Sequence, residues 1–145
     1  MRSFTYTEHI ERTPEQVFAF MMDFPQAPRW RSLVRRIEVI GGEPVRQGSE
    51  VLLTIDVMGK TRQVVSEIWS YDPPRRLGFR NTADNITGQF EYVLSAENSG
   101  TRVRMTCDIC PRGLMWLLIP WIRRSHRARY SDQLARLKAA MEHPA

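Results

Sequence analysis

The sequence predicts an α+β fold: an antiparallel sheet with one apolar face, two short helices after a first strand, and a long C-terminal helix laid across the sheet. Three observations predict it. Apolar residues recur with period two from about Val34 to Ile109, as a half-buried sheet requires. Turn-forming pairs cut that region into runs short enough for consecutive hairpins. After Pro111 the apolar period changes to helical steps of three or four.

The helices come first in chain order. Thr13-Pro14-Glu15-Gln16 reads as a helix start: Thr13 caps, Pro14 suits the first helical position, and Gln16 completes a capping box. The helix that follows buries Val17, Phe18 and Met21 and stops before Pro25, because proline disfavours helical geometry in its predecessor. A second short turn, Gln26 to Arg31, carries Trp30.

In the sheet region Val51, Leu53, Ile55 and Val57 alternate with Leu52, Thr54, Asp56 and Met58. Phe90, Tyr92 and Leu94 form the apolar half of another strand, and Val103, Met105, Cys107 and Ile109 that of a third. Gly41-Gly42, Gly59-Lys60, Asp72-Pro73-Pro74 and Ser99-Gly100 mark the turns. Ile119, Ile122, His126, Tyr130, Leu134, Leu137 and Met141 then form the stripe of a helix from about Gly113 to Met141. At 1.5 Å per residue it is on the order of 40 Å long, enough to cross a sheet, with a kink or break at Pro120.

A chain of 145 residues with 42% hydrophobic content suits one domain, residues 1–145, that buries its core without disulfides or metal. The N-terminal segment has no apolar run resembling a secretory signal. The longest apolar stretch, Leu114 to Ile122, is far short of the roughly 20 residues a spanning helix needs. A cytoplasmic location is expected, and two cysteines suit a reducing compartment. The net charge of +5 does not by itself imply nucleic acid. The basic residues are nearly all arginine, and the one cluster free of acids, Arg123 to Arg129, is short and carries no nucleic-acid motif.

Several of these segments together resemble a known superfamily. Ile10 to Trp30, IERTPEQVFAFMMDFPQAPRW, is similar to the opening pattern of the superfamily of polyketide cyclases, START lipid-transfer domains and the birch pollen allergen. Tyr71-Asp72-Pro73-Pro74-Arg75-Arg76-Leu77 resembles its turn between central strands, and Gly100-Thr101-Arg102-Val103 resembles the start of its last strand. The resemblance covers essentially the whole chain. It implies a helix-grip fold, a curved antiparallel sheet of about seven strands wrapped around the C-terminal helix, with incomplete closure that leaves a cavity. It implies no shared catalytic set, so only the cavity's location carries over.

Candidate contacts in that cavity are Trp30, Phe79, Asn81, Phe90, Tyr92, Met105, Trp116, His126 and Tyr130. Large aromatic and thioether side chains on facing elements suit a flat or polycyclic guest, although ordinary core packing explains some of them. Asn81 continues the inward alternation of Leu77 and Phe79. His126, one turn before Tyr130 on the apolar stripe, is either a histidine at the core's edge or an anchor for a ligand hydroxyl or carbonyl. The inward positions otherwise offer only a few neutral polar groups. A carboxylate or phosphate deep inside is disfavoured unless an arginine reaches it.

Cys107-Asp108-Ile109-Cys110 matches C-x-x-C, but positions three apart on a strand face opposite ways and cannot jointly hold zinc. No metal site and no cofactor are expected. His9, His126 and His143 stand near no nucleophile motif, so a catalytic triad is not expected. Leu114 to Ile122 is apolar all round. Trp116, Trp121, Arg123 and Arg124 suit peripheral contact with a membrane surface, or the segment packs under loops or in a homodimer.

The leading functional reading is a binding or carrier protein for an apolar small molecule such as a lipid, quinone or polyketide, with no nucleic-acid partner. Two alternatives stand beside it. One is a cyclase or dehydratase in which His126, Tyr130 or Tyr92 moves a proton. The other is a protein-interaction or membrane-surface module built on the Trp/Arg-rich helix.

Overall fold

The structure is a computed structural model that describes residues 2–31, 34–42, 44–57, 59–83, 86–111 and 133–142. Strand β1 (Arg2–Ile10) leads into α1 (Pro14–Met22) and a 3₁₀ helix (Phe24–Arg29). Six strands follow: β2 (Val34–Ile40), β3 (Glu50–Val57), β4 (Lys60–Asp72), β5 (Arg76–Ala83), β6 (Ile86–Glu97) and β7 (Gly100–Pro111). The last described element is α2 (Gln133–Glu142).

The strands form one antiparallel seven-stranded sheet in the order β1-β7-β6-β5-β4-β3-β2. Strands β2 to β7 are a meander of hairpins, and β1 returns to pair with β7 from Arg2↔Ile109 to Ile10↔Thr101. The two strands adjacent in sequence, β1 and β2, therefore lie at opposite edges. The chain between them has to cross the sheet, and α1 and the 3₁₀ helix make that crossing, α1 against β6 and β7 and the 3₁₀ helix against β2.

The predicted capping box is present: Gln16 N–H donates to Thr13 Oγ1 (3.2 Å) and Thr13 N–H donates to Gln16 Oε1 (3.0 Å). Val17, Phe18 and Met21 are buried as their spacing requires. The second turn begins at Phe24 rather than Gln26. Proline costs nothing at the first positions of a helix, so Pro25 is the second residue of the turn instead of preceding it, and Phe24 is drawn into the core.

At the β6–β7 turn the two residues with positive φ are Asn98 (46°) and Ser99 (68°), the backbone of a two-residue hairpin loop. Gly100 is already strand, opposite Glu97. Its reason is close approach, because a Cβ there would sit 2.5 Å from the carbonyl oxygen of Ile10. Thr101 is buried next to it and donates through Oγ1 to the carbonyl of Arg12 (2.7 Å), which ties the exit of β1 to the start of β7.

Described α2 packs on β1 and the 3₁₀ helix, with Leu134 and Leu137 in the main core and Met141 against it. Polar contacts fix its end: Lys138 Nζ donates to the carbonyl of His9 (2.7 Å), and Glu11 N–H donates to Glu142 Oε2 (2.7 Å). The remainder of the predicted helix, including Ile119, Pro120, Ile122, His126 and Tyr130, lies outside the described residues.

His9 joins Glu97 through Nδ1 and Glu11 through Nε2, both at 2.9 Å. The bond to Glu97, more than any other influence, raises its pKa above 6.5. A group raised in the folded state stabilises fully below its unfolded pKa and loses that contribution as pH rises through the folded one. Stability should therefore fall as pH rises through and above 6.5. The variant His9→Gln should abolish this component in a series of thermal melts, and a wild-type profile no steeper than the variant's would contradict it.

Candidate functional site

The concave face of β5, β6 and β7 is built from cross-strand rows. Phe79 lies opposite Phe90, which lies opposite Cys107, which lies opposite Phe4 of β1. One row along, Leu77, Tyr92, Met105 and Tyr6 succeed one another in the same way. Residues directly opposite share a face of the sheet, so the strict alternation of each strand becomes two continuous bands of large side chains. Leu77, Phe79, Phe90, Tyr92, Met105 and Cys107 are all buried.

Two further elements close on these bands. The end of the 3₁₀ helix delivers Trp30, 1% exposed, whose ring meets Tyr92 edge to face at 5.8 Å and 72°. From α2 comes Gln133, 3% exposed, whose Oε1 accepts a hydrogen bond from the Tyr92 hydroxyl at 2.6 Å. Tyr92 is thus held by the sheet, the crossover and the C-terminal helix together.

The same corner holds a cation. Arg31 is 5% exposed, with its guanidinium 5.0 Å from the Phe79 ring centroid and 5.9 Å from that of Trp30. Its Nε and Nη1 are buried with no hydrogen-bond partner, and so is Trp30 Nε1. Two desolvated aromatic faces attract a buried cation by about 2 kcal/mol each, against a desolvation cost of several kcal/mol. This departs from the expectation of neutral polar groups only. The reason is local: the chain turns at Trp30 to enter β2, so Trp30 and its neighbour are both turned under the sheet.

Of the predicted contacts, Trp30, Phe79, Phe90, Tyr92 and Met105 come together in one buried cluster. Asn81 lies on β5 opposite Gly88 and Ser66, with its side chain outside the described residues. Trp116, His126 and Tyr130 also lie outside them, as do Trp121, Arg123 and Arg124 of the proposed membrane or dimer contact. The structure adds Arg31 and Gln133, which sequence reasoning misses. Gln133 has a signal, falling three residues after Tyr130 on the stripe that continues to Leu134 and Leu137. Arg31 has none, since arginine is almost never fully buried and no periodicity places it inside.

Cys107 is buried, and desolvation first, then the charge of Asp108, pushes its thiol up to about 12. It packs as a neutral side chain, far from thiolate reactivity. Among the described residues no three His, Cys, Asp or Glu side chains are grouped to hold a metal, and no helix is long and apolar enough to cross a membrane. Two open surface clefts occur elsewhere, about 500 Å³ along Ile40 to Glu50 and about 420 Å³ between Pro14 and the Asn98-Ser99 turn. Neither includes a residue of the aromatic cluster.

A seven-stranded antiparallel sheet closing on a C-terminal helix, with its aromatic residues turned inward, is the helix-grip arrangement. The sequence pattern of the family described as polyketide cyclase / dehydrase and lipid transport matches residues 1–142, and the chain belongs to that family. No curated protein matches it in sequence.

Solved structures share the fold at low identity. The di-domain aromatase/cyclase BexL of the BE-7585A biosynthetic pathway superposes with a TM-score of 0.81 at 16% identity, over 98% of this chain and 47% of that one. This chain therefore spans about half of BexL. TTHA0849 from Thermus thermophilus gives 0.76 at 20% identity, over 94% of each chain. The Zhui aromatase/cyclase from a Streptomyces species gives 0.71 at 17% identity, over 99% of this chain and 98% of that one.

Proposed function

We propose that the protein binds or carries an apolar small molecule, a lipid, quinone or polyketide-like compound, between the concave face of the sheet and the C-terminal helix. One observation carries this reading. Two bands of large apolar side chains, Trp30 and Gln133 of α2 converge on Tyr92, giving an apolar surface with few, well-placed polar groups. Small-molecule sites have that composition. Membership of a family described by cyclisation, dehydration and lipid transport agrees with it. Trp30, Phe79, Phe90, Tyr92 and Met105 form the floor in this reading, with Asn81, Trp116, His126 and Tyr130 as the further contacts.

A cyclase or dehydratase is the second reading, favoured by the aromatase/cyclase neighbours. The same surface would fold a reactive chain, and Tyr92, His126 or Tyr130 would move a proton. Native mass spectrometry of the isolated protein separates the two. A co-purifying, unmodified apolar compound supports carriage. Turnover of a poly-β-keto chain that His126→Ala abolishes, with affinity retained, supports the enzyme. A protein that carries nothing and binds no apolar probe contradicts both.

A further inference from the structure

Arg31 is the one cation described inside the aromatic cluster, and neither the bound-molecule reading above nor the family's description uses it. Arginine does not escape burial by shedding its proton, so its N–H groups need acceptors wherever the chain places them. Buried polar groups in folded proteins are almost always paired. Here Nε and Nη1 are buried without a partner, and among the described residues the rings of Phe79 and Trp30 lie against the guanidinium. Rings attract the charge but accept no conventional hydrogen bond in its plane. Trp30 adds a third donor of the same kind, because its Nε1 is also buried and unpartnered. Three buried, unpartnered donors, Arg31 Nε, Arg31 Nη1 and Trp30 Nε1, thus lie on two neighbouring residues packed against Phe79 and Tyr92.

Those donors select the chemistry of a guest that would meet them. A neutral apolar guest would leave the cation as it stands, and a cationic one would be repelled. An anionic oxygen group would satisfy the donors with charge-assisted hydrogen bonds while its apolar body lay along the two bands. We infer that the ligand is an apolar acid, a molecule with an apolar body and a carboxylate end, and that Arg31 receives the carboxylate with Trp30 Nε1 beside it. This rests on the reading that the surface under the grip holds an apolar molecule, and it names the chemical class of that molecule. A fatty acid and an aromatic acid both carry the required chemistry.

The test compares each acid with its own methyl ester, which keeps the body and removes the charge. The full chain is loaded with Nile red, an uncharged apolar probe, and titrated at neutral pH with naphthoic acid or its methyl ester, and separately with lauric acid or methyl laurate. Each acid of the matching class should displace the probe at concentrations on the order of ten- to a hundredfold lower than its ester, as a hydrogen-bonded charge implies. The pair with the wider gap tells an aromatic from a fatty source. In Arg31→Gln, with near-ultraviolet circular dichroism showing retained packing, acid and ester should converge.

Esters that compete as well as acids against wild-type protein would overturn the carboxylate and leave the apolar-binding reading standing. An acid preference that survives Arg31→Gln would overturn the role of Arg31. A protein that binds neither probe nor competitor would overturn both readings. The wild-type comparison decides the question even if the variant does not fold.

Discussion

Trp30→Ala is expected to lower the free energy of unfolding by about 3–5 kcal/mol, the range for removing a fully buried tryptophan. Its indole is 1% exposed, stands edge-on to Tyr92 and covers one side of the Arg31 guanidinium. The loss combines the transfer energy of the ring, the void left between the crossover and β6, and one of the two aromatic faces on a buried cation. Urea unfolding followed by circular dichroism measures it. A loss under about 1 kcal/mol would show that the space beside Tyr92 collapses freely, which a close-packed core does not do. Affinity for an uncharged apolar probe should fall in the same variant, because the residue belongs to the floor of the proposed site.

The second large effect belongs to α2. Leu134 is 2% exposed and sits in the main core, so Leu134→Ala should cost about 2–5 kcal/mol. For a chain of this size that is a melting temperature lower by about 2–4 °C per kcal/mol. Val65→Ala is the matched control: Val65 is 48% exposed, and its truncation should stay within about 0.5 kcal/mol. A Leu134→Ala cost no larger than the control's would mean that the helix is not docked on β1.

The scaffold is legible in the sequence wherever one local rule governs a residue. Thr13, Pro14 and Gln16 start α1 because the cap involves only neighbours in sequence. The alternation at Phe90, Tyr92 and Leu94, and at Val103, Met105 and Cys107, marks the buried face because both strands are solvated on the other side. It marks Ile55 less well: Ile55 is only half-buried, two residues from the end of β3. The turn before β7 lies one residue earlier than the pair Ser99-Gly100 predicts, because Gly100 serves contact with Ile10 rather than the turn.

The site is legible in its apolar half alone. Trp30, Phe79, Phe90, Tyr92 and Met105 announce themselves by size and register. Arg31 does not, since its burial is decided by how the 3₁₀ helix meets β2, a tertiary event without a sequence period. Gln133 is intermediate: its place on the helix stripe is readable, but its bond to Tyr92, 41 positions away in the chain, is not.

The central proposal is that an apolar molecule binds against Trp30, Tyr92 and α2. Titration of isotope-labelled protein with Nile red, following the indole N–H resonances by NMR, tests it most directly. Trp30 Nε1 is buried in the cluster without a partner, whereas Trp69 Nε1 is bonded to the carbonyl of Phe90 at 3.2 Å and its ring lies over Gly78 and under Arg80. A saturable shift of the Trp30 resonance with little movement of Trp69 is the expected result, and a Trp30 resonance that stays fixed while the probe binds, or binds only around Trp69, would contradict the account.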